Sequence, residues 1–221
     1  MSQDESCNGS AGDKGLTTMT KTEFEPSIKS RPVYGVLEAA PGLAHLIVAD
    51  GEGADAVTEM IARAGSSMLA STHIIYMPGP NGCDKSAALQ ALGAAQFHRS
   101  PSFAAANSRL AKVVADAHMG TQIYVAGTEG LIAQVCQAVA AQGLPYESVH
   151  TEHRGSTVRR VQCVHCKGIT ENVTHDPFKC SHCGLSLFVR DHFSRRIAAF
   201  QGVNIDAEDP GLVPDAVERF K

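Results

Sequence analysis

Apolar residues recur along this chain in two alternating rhythms. Continuous short runs, 45-HLIVAD-50, 73-HIIYM-77 and 121-TQIYVAG-127, read as strands buried on both faces, and 146-YESVHTE-152 reads as a fourth. Between them lie stretches with a period near 3.6. The segment 53-GADAVTEMIARAG-65 puts Val57, Met60, Ile61 and Ala64 on one face and ends on a glycine suited to a C-cap. The segment 128-TEGLIAQVCQAVAAQG-143 does the same with Leu131, Ile132, Val135 and Val139. Two further helices are expected over 84–96, capped by Asp84, and over 107–120, capped by Asn107 or Ser108 and stopped by Gly120. Strand and helix in alternation predict an α/β fold, a parallel doubly wound sheet with helices on both faces.

The rhythm fails at both ends. Residues 1–30 are rich in Ser, Thr, Gly, Asp, Glu and Lys without apolar periodicity, which predicts a disordered tail. Near residue 155 basic residues, cysteines and histidines crowd together. The expected division is therefore a tail over 1–30, an α/β domain over 31–154, and a small module with a C-terminal tail over 155–221. The last stretch, 204–221, carries Asp, Pro and Gly turns and is expected to lie loosely on the surface.

Cysteine spacing brings in chemistry. Of seven cysteines, four form two C-x-x-C pairs, Cys163/Cys166 and Cys180/Cys183, with 13 residues between the pairs. Each pair makes a tight turn aiming two thiolates at one point, and two turns close a tetrahedral S₄ site. Gly168 and Gly184 are placed to let backbone N–H groups turn toward sulfur. A closed four-sulfur shell has no open position, so the site is structural rather than hydrolytic. Zinc is the first expectation, and a rubredoxin-like iron is the alternative. His165, His175 and His182 read as surface histidines beside a shell already complete. Cys136, on a helix, reads as a small apolar residue, and Cys83 has no assigned role. The basic stretch 190-RDHFSRR-196 offers Arg190, Arg195 and Arg196 for phosphate or partner contact, or for internal pairing with Asp191.

Two glycine-rich loops raise the question of a nucleotide. In 79-GPNGCDKS-86 the P-loop pattern is broken by Asp84, where a carboxylate would repel a phosphate. In 50-DGEGADA-56, Gly51, Gly53 and Ala56 make a dinucleotide-type G-x-G-x-x-A between strand and helix, but Asp50, Glu52 and Asp55 make it a poor pyrophosphate site. Gly51 and Gly53 are the candidate cofactor-contacting residues, and NAD(P)H binding is disfavoured. The net charge of −4 argues against nucleic-acid and anionic-membrane partners. The polar start has no basic and apolar leader, so the expected location is cytoplasmic.

The stretch 122-QIYVAGTEGLIAQVCQAVAAQGLPYESVHTE-152 looks like the last third of the NAD(P)-binding domain of ferredoxin-reductase-like flavoenzymes, with the family's Cys-Gly-Pro replaced by Ala126-Gly127-Thr128. Together with 31-RPVYGVL-37, 45-HLIVADGEGADA-56, the four-cysteine module and 189-VRDHFSRR-196, residues 31–205 resemble the DmmA-like subunit family of bacterial dimethylamine monooxygenase. The resemblance implies a ferredoxin-reductase NAD-domain-like fold with a zinc-ribbon or rubredoxin-like module. It further implies a small accessory subunit of a multi-subunit, NADPH-dependent enzyme that demethylates dimethylamine to methylamine and formaldehyde. Haem, flavin and iron–sulfur groups are then expected on partner subunits: a haem-bearing catalytic subunit and a flavin/iron–sulfur reductase subunit.

Overall fold

A computed structural model describes residues 30–79 and 84–221, so all but the last residue of the tail expected over 1–30, with Cys7, and half of the broken P-loop, with Cys83, lie outside the described residues. The first sheet is built from β1 (Ala44–Asp50), β2 (Thr72–Met77), β3 (Gln96–Arg99), β4 (Thr121–Gly127) and β5 (Val149–His153), all parallel, in the order β3-β2-β1-β4-β5. Between them run α1 (Gly53–Ala64), α2 (Ser86–Ala91), α3 (Phe103–Ala115) and α4 (Glu129–Ala141). Strand side chains alternate between two cores. Ile47, Ala49, Ile74 and Tyr76 pack with Val57, Met60 and Leu89 on one face. Leu46, Val48, Ile75 and Met77 pack with Leu110, Val114, Leu131 and Val135 on the other. The sheet is doubly wound.

Three details depart from the sequence reading. The helix expected over 84–96 is only six residues long and is followed by an edge strand, β3, whose half-exposed residues gave it no apolar signature. Helix α3 begins earlier than expected because Ser102 Oγ accepts the Ala105 N–H at 3.3 Å. Asp84 is not the N-cap of α2, a position held by Lys85; it stands one residue earlier, where its Oδ1 accepts from the Ser86 N–H at 2.9 Å and its other oxygen takes Arg99.

The second sheet holds β6 (Arg159–Cys163), β7 (Ile169–Val173), β9 (Phe178–Lys179), β10 (Ser186–Ser194) and β11 (Ala199–Asn204) in the order β7-β6-β11-β10-β9. Only β6 and β11 are parallel. Val161, Val173, Val189 and Phe200 make its core, and Phe220 joins them. The C-terminal stretch is thus not wholly loose. β12 (Val217–Glu218) pairs with β8 (His175–Asp176), and Arg219 bonds Asp176 at 2.6 Å.

Candidate metal centre

Cys163 is the last residue of β6, and Cys180 follows β9, so the second sheet itself sets the two pairs facing each other. Each pair sits in the same backbone turn. The Cys163 N–H donates to Gly168 O (2.9 Å) and the Lys167 N–H returns to Cys163 O (3.0 Å). The Cys180 N–H donates to Leu185 O (2.9 Å) and the Gly184 N–H returns to Cys180 O (3.0 Å). The fifth residue of each turn, Lys167 or Gly184, has a left-handed backbone, φ 63° and 75°. The residue matching Gly184 is therefore Lys167, not Gly168. At Gly168 close approach is the constraint, since a Cβ there would lie 2.4 Å from the His182 ring. The ring's Nε2 donates to Ile169 O at 2.9 Å, tying one turn to the other.

Sγ of Cys163 lies 3.8 Å from that of Cys183, and Cys166 lies 3.7 Å from Cys180; all four sulfurs fall within 4.8 Å of one another. A tetrahedral ion with metal–sulfur bonds of about 2.3 Å places its ligands about 3.8 Å apart. Two of the sulfur pairs already stand at that spacing, and the cluster is of a size to hold one such metal ion. Protonation is uneven. Burial pushes the Cys180 thiol up, but N–H groups of Cys183 and His182 and neighbouring sulfurs outweigh it and bring it down to about 6. For Cys183 the Leu185 N–H favours the thiolate, but burial and three neighbouring sulfurs push it up to about 12. Four thiolates in one place repel, and a dication is the group that relieves this.

His165, His175 and His182 are exposed and outside the sulfur cluster. Cys136 packs against the second core, where burial pushes its thiol up to about 11, the behaviour of an apolar residue. Asp191 is paired, with Arg159 at 2.8 Å and Arg31 at 3.9 Å, so its partners come from other elements than its own.

The nucleotide-type loops serve packing and internal pairing. A Cβ on Gly53 would sit 2.1 Å from Ala126 O, so that glycine lets α1 pack against β4. Gly51 adopts φ 43° and its N–H bonds Met77 O. The crevice between β1 and β4, where open α/β sheets take ligands, contains the Asp50 carboxylate. It accepts from the Thr128 N–H (2.8 Å) and Oγ1 (2.7 Å) at the start of α4, and a Cβ on Gly127 would collide with it at 1.8 Å. Burial pushes the Asp50 carboxyl up, with the Thr128 bonds pulling against it. Asp55 pairs with Lys85 beside it.

Sequence reasoning missed the junction between the sheets. Arg159, 5% exposed, donates to Asp191, lies 3.8 Å from Glu129 of α4, and stacks under Phe200 and Phe220 at 3.9 and 4.3 Å. Glu129 in turn accepts from the Tyr34 hydroxyl, and Tyr34 stacks on His153. Two adjacent arginines opening a strand carried no signal of this.

A doubly wound parallel domain carrying a four-cysteine module thus defines the class of protein. The chain belongs to the family described as dimethylamine monooxygenase subunit DmmA-like, whose N-terminal domain matches residues 26–149 and whose C-terminal domain matches residues 160–203. It is 29% identical over 146 residues to the "Heme-dependent oxidative N-demethylase delta subunit" of Ectopseudomonas mendocina, covering 64% of this chain and 83% of that one. Among solved structures it is similar to an intact type IV self-sufficient cytochrome P450 monooxygenase, with a TM-score of 0.42 and 18% identity over 77% of this chain and 22% of that one. It is also similar to the flavohaem-like FAD/NAD-binding domain of nitric oxide dioxygenase from Vibrio cholerae O1 biovar El Tor, with a TM-score of 0.37 and 14% identity over 56% and 55%.

Proposed function

We propose that this chain is a non-catalytic accessory subunit of a multi-subunit amine monooxygenase, held in shape by one zinc ion on Cys163, Cys166, Cys180 and Cys183. The closed sulfur shell carries the reading: four ligands at tetrahedral spacing leave no position for substrate or water. The family and the N-demethylase relative support dimethylamine as the substrate of the assembly and a haem-bearing subunit and an NADPH-dependent flavin/iron–sulfur reductase as its partners. The α/β part over 31–154 serves as an assembly surface, its ligand crevice occupied by Asp50. Residues 155–221 form the metal module. The expected location is the cytoplasm; no helix among the described residues is long and apolar enough to cross a membrane.

Elemental analysis with an absorption spectrum of the purified chain tests this. One colourless zinc per chain is expected. Cys180→Ser should lose the metal and fail to co-purify with the larger subunits; full incorporation of that variant overturns the structural role. One observation favours a second reading, an iron-bearing electron carrier: Cys166 is exposed, which would bring the ion within reach of a redox partner. Iron with thiolate charge-transfer colour and a reversible potential would establish it.

A further inference from the structure

A cavity of about 940 Å³ lies at the end of the first sheet opposite the Asp50 crevice, between the amino ends of β1–β4 and helix α3. Its lining is unusual for the face it occupies. On the α3 side of the sheet, β1 and β2 present Leu46, Val48, Ile75 and Met77 to the core. At the same face the next positions are histidines: His73 precedes Ile75 by two residues, and His98 pairs in register with Ile75 on the edge strand. Helix α3 faces them with Arg109 and Lys112, one helical turn apart. His45 and His118 add two more imidazoles, and Asp116 is the one carboxylate in the lining.

The cations here outnumber the single carboxylate and are not paired with it. No ion pair among the described residues involves Arg109 or Lys112. His73 Nε2 is buried with no hydrogen-bond partner. Burial first, then the charges of Arg109 and His98, hold the His73 imidazole below its usual value. In a chain of net charge −4, cations gathered without partners in one concave site leave a positive potential that an anion would relieve. The volume is that of a small-molecule site.

We propose that this cavity binds a small oxyanion, a phosphate or carboxylate group, between Arg109 on α3 and the imidazoles of His73 and His98 on the sheet. The site is independent of the sulfur cluster and of the subunit's role in a monooxygenase. Arg109 supplies the charge and fork of donors. Lys112 strengthens the field. The two imidazoles donate through ring N–H groups, and protonation of His73 adds charge, so binding tightens as the pH falls toward that ring's lowered pKa.

The test is histidine ring NMR of the full-length protein titrated with inorganic phosphate, and in a parallel arm with succinate. Saturable shifts of the His73 and His98 rings, with the lowered His73 ring pKa raised by the anion, are expected. The arm that saturates at lower concentration identifies the phosphate or the carboxylate source. Arg109→Ala, at an exposed helix position that leaves the fold intact, should weaken binding roughly tenfold or more. Lys112→Ala should weaken it less. Rings unmoved by millimolar amounts of either anion, or shifts unchanged in Arg109→Ala, overturn the proposal.

Discussion

At the scale of single residues, backbone conformation and close approach decide what each position tolerates. Gly53 lies so near β4 that any Cβ must displace backbone. We expect Gly53→Ala to destabilise the chain by about 3 kcal/mol, the upper part of the overpacking range, measured by urea unfolding. Gly65, with open space around it but φ 83°, should lose less on the same change. The two cysteine turns make a finer comparison. They share a hydrogen-bond pattern, yet one has Gly184 and the other Lys167 at the left-handed position. A lysine there carries a conformational cost of about 1 kcal/mol. Lys167→Gly should therefore raise the thermal stability of the metal-loaded protein by up to about 1 kcal/mol. The bond from Lys167 Nζ to Val164 O, which is exposed, offsets little of that. A loss of stability would mean that this bond matters more than backbone strain.

At the scale of elements, what could be read from the sequence tracks how strongly each element is buried. β1, β2 and β4 are apolar runs and were legible, as were α1 and α4 with one continuous apolar face each. Edge strand β3 was not, because 96-QFHR-99 is half-exposed and its histidine lines a cavity instead of a core. The sulfur cluster was legible since its spacing alone fixes it. The segment before β1 was only partly so. It holds on by scattered bonds, Gly35 N–H to Thr151 O, Leu37 N–H to the Glu152 carboxylate and Ala40 N–H to the Tyr124 hydroxyl, which leave no periodic trace. The contact of α4 with β6 was invisible for the same reason. It can be weighed. Glu129 and Arg159 are buried 3.8 Å apart, and Glu129 Oε2 and Arg159 Nε have no hydrogen-bond partner. Removing one partner of such a pair leaves a buried charge, so Arg159→Met should cost about 3 kcal/mol. Adding Glu129→Gln should return about 1 kcal/mol or more of that, because the charge it removes is the one left stranded. Strictly additive effects in a denaturation cycle would show that the two side chains do not act as a pair.

At the scale of the whole molecule, several buried groups combine into a pH dependence whose sign can be worked out. Burial lowers the imidazole pKa of His45, His73 and His150 below the ordinary value of about 6.5; for His73 the charges of Arg109 and His98 add to it. A group depressed in the folded state takes up its proton more readily when unfolded. Its stabilisation is present above about pH 6.5 and is lost as the pH falls toward the folded value. Asp50 works in the opposite sense. Its raised carboxyl pKa means that the folded chain takes the proton first, which adds stability as the pH falls through that raised value. Three imidazoles against one carboxyl lead us to expect a melting temperature that drops between about pH 7.5 and about pH 5.5. The cysteine cluster would contribute in the same direction, since protons compete with a metal for the thiolates. The two sources separate in one experiment: melting followed across pH with a chromogenic chelator reporting released metal, on the native chain and on His45→Gln/His150→Gln. If burial of neutral histidines dominates, the drop precedes metal release and flattens in the double variant. If the drop follows metal release alone and is unchanged in the variant, the sulfur cluster sets the acid limit of the fold.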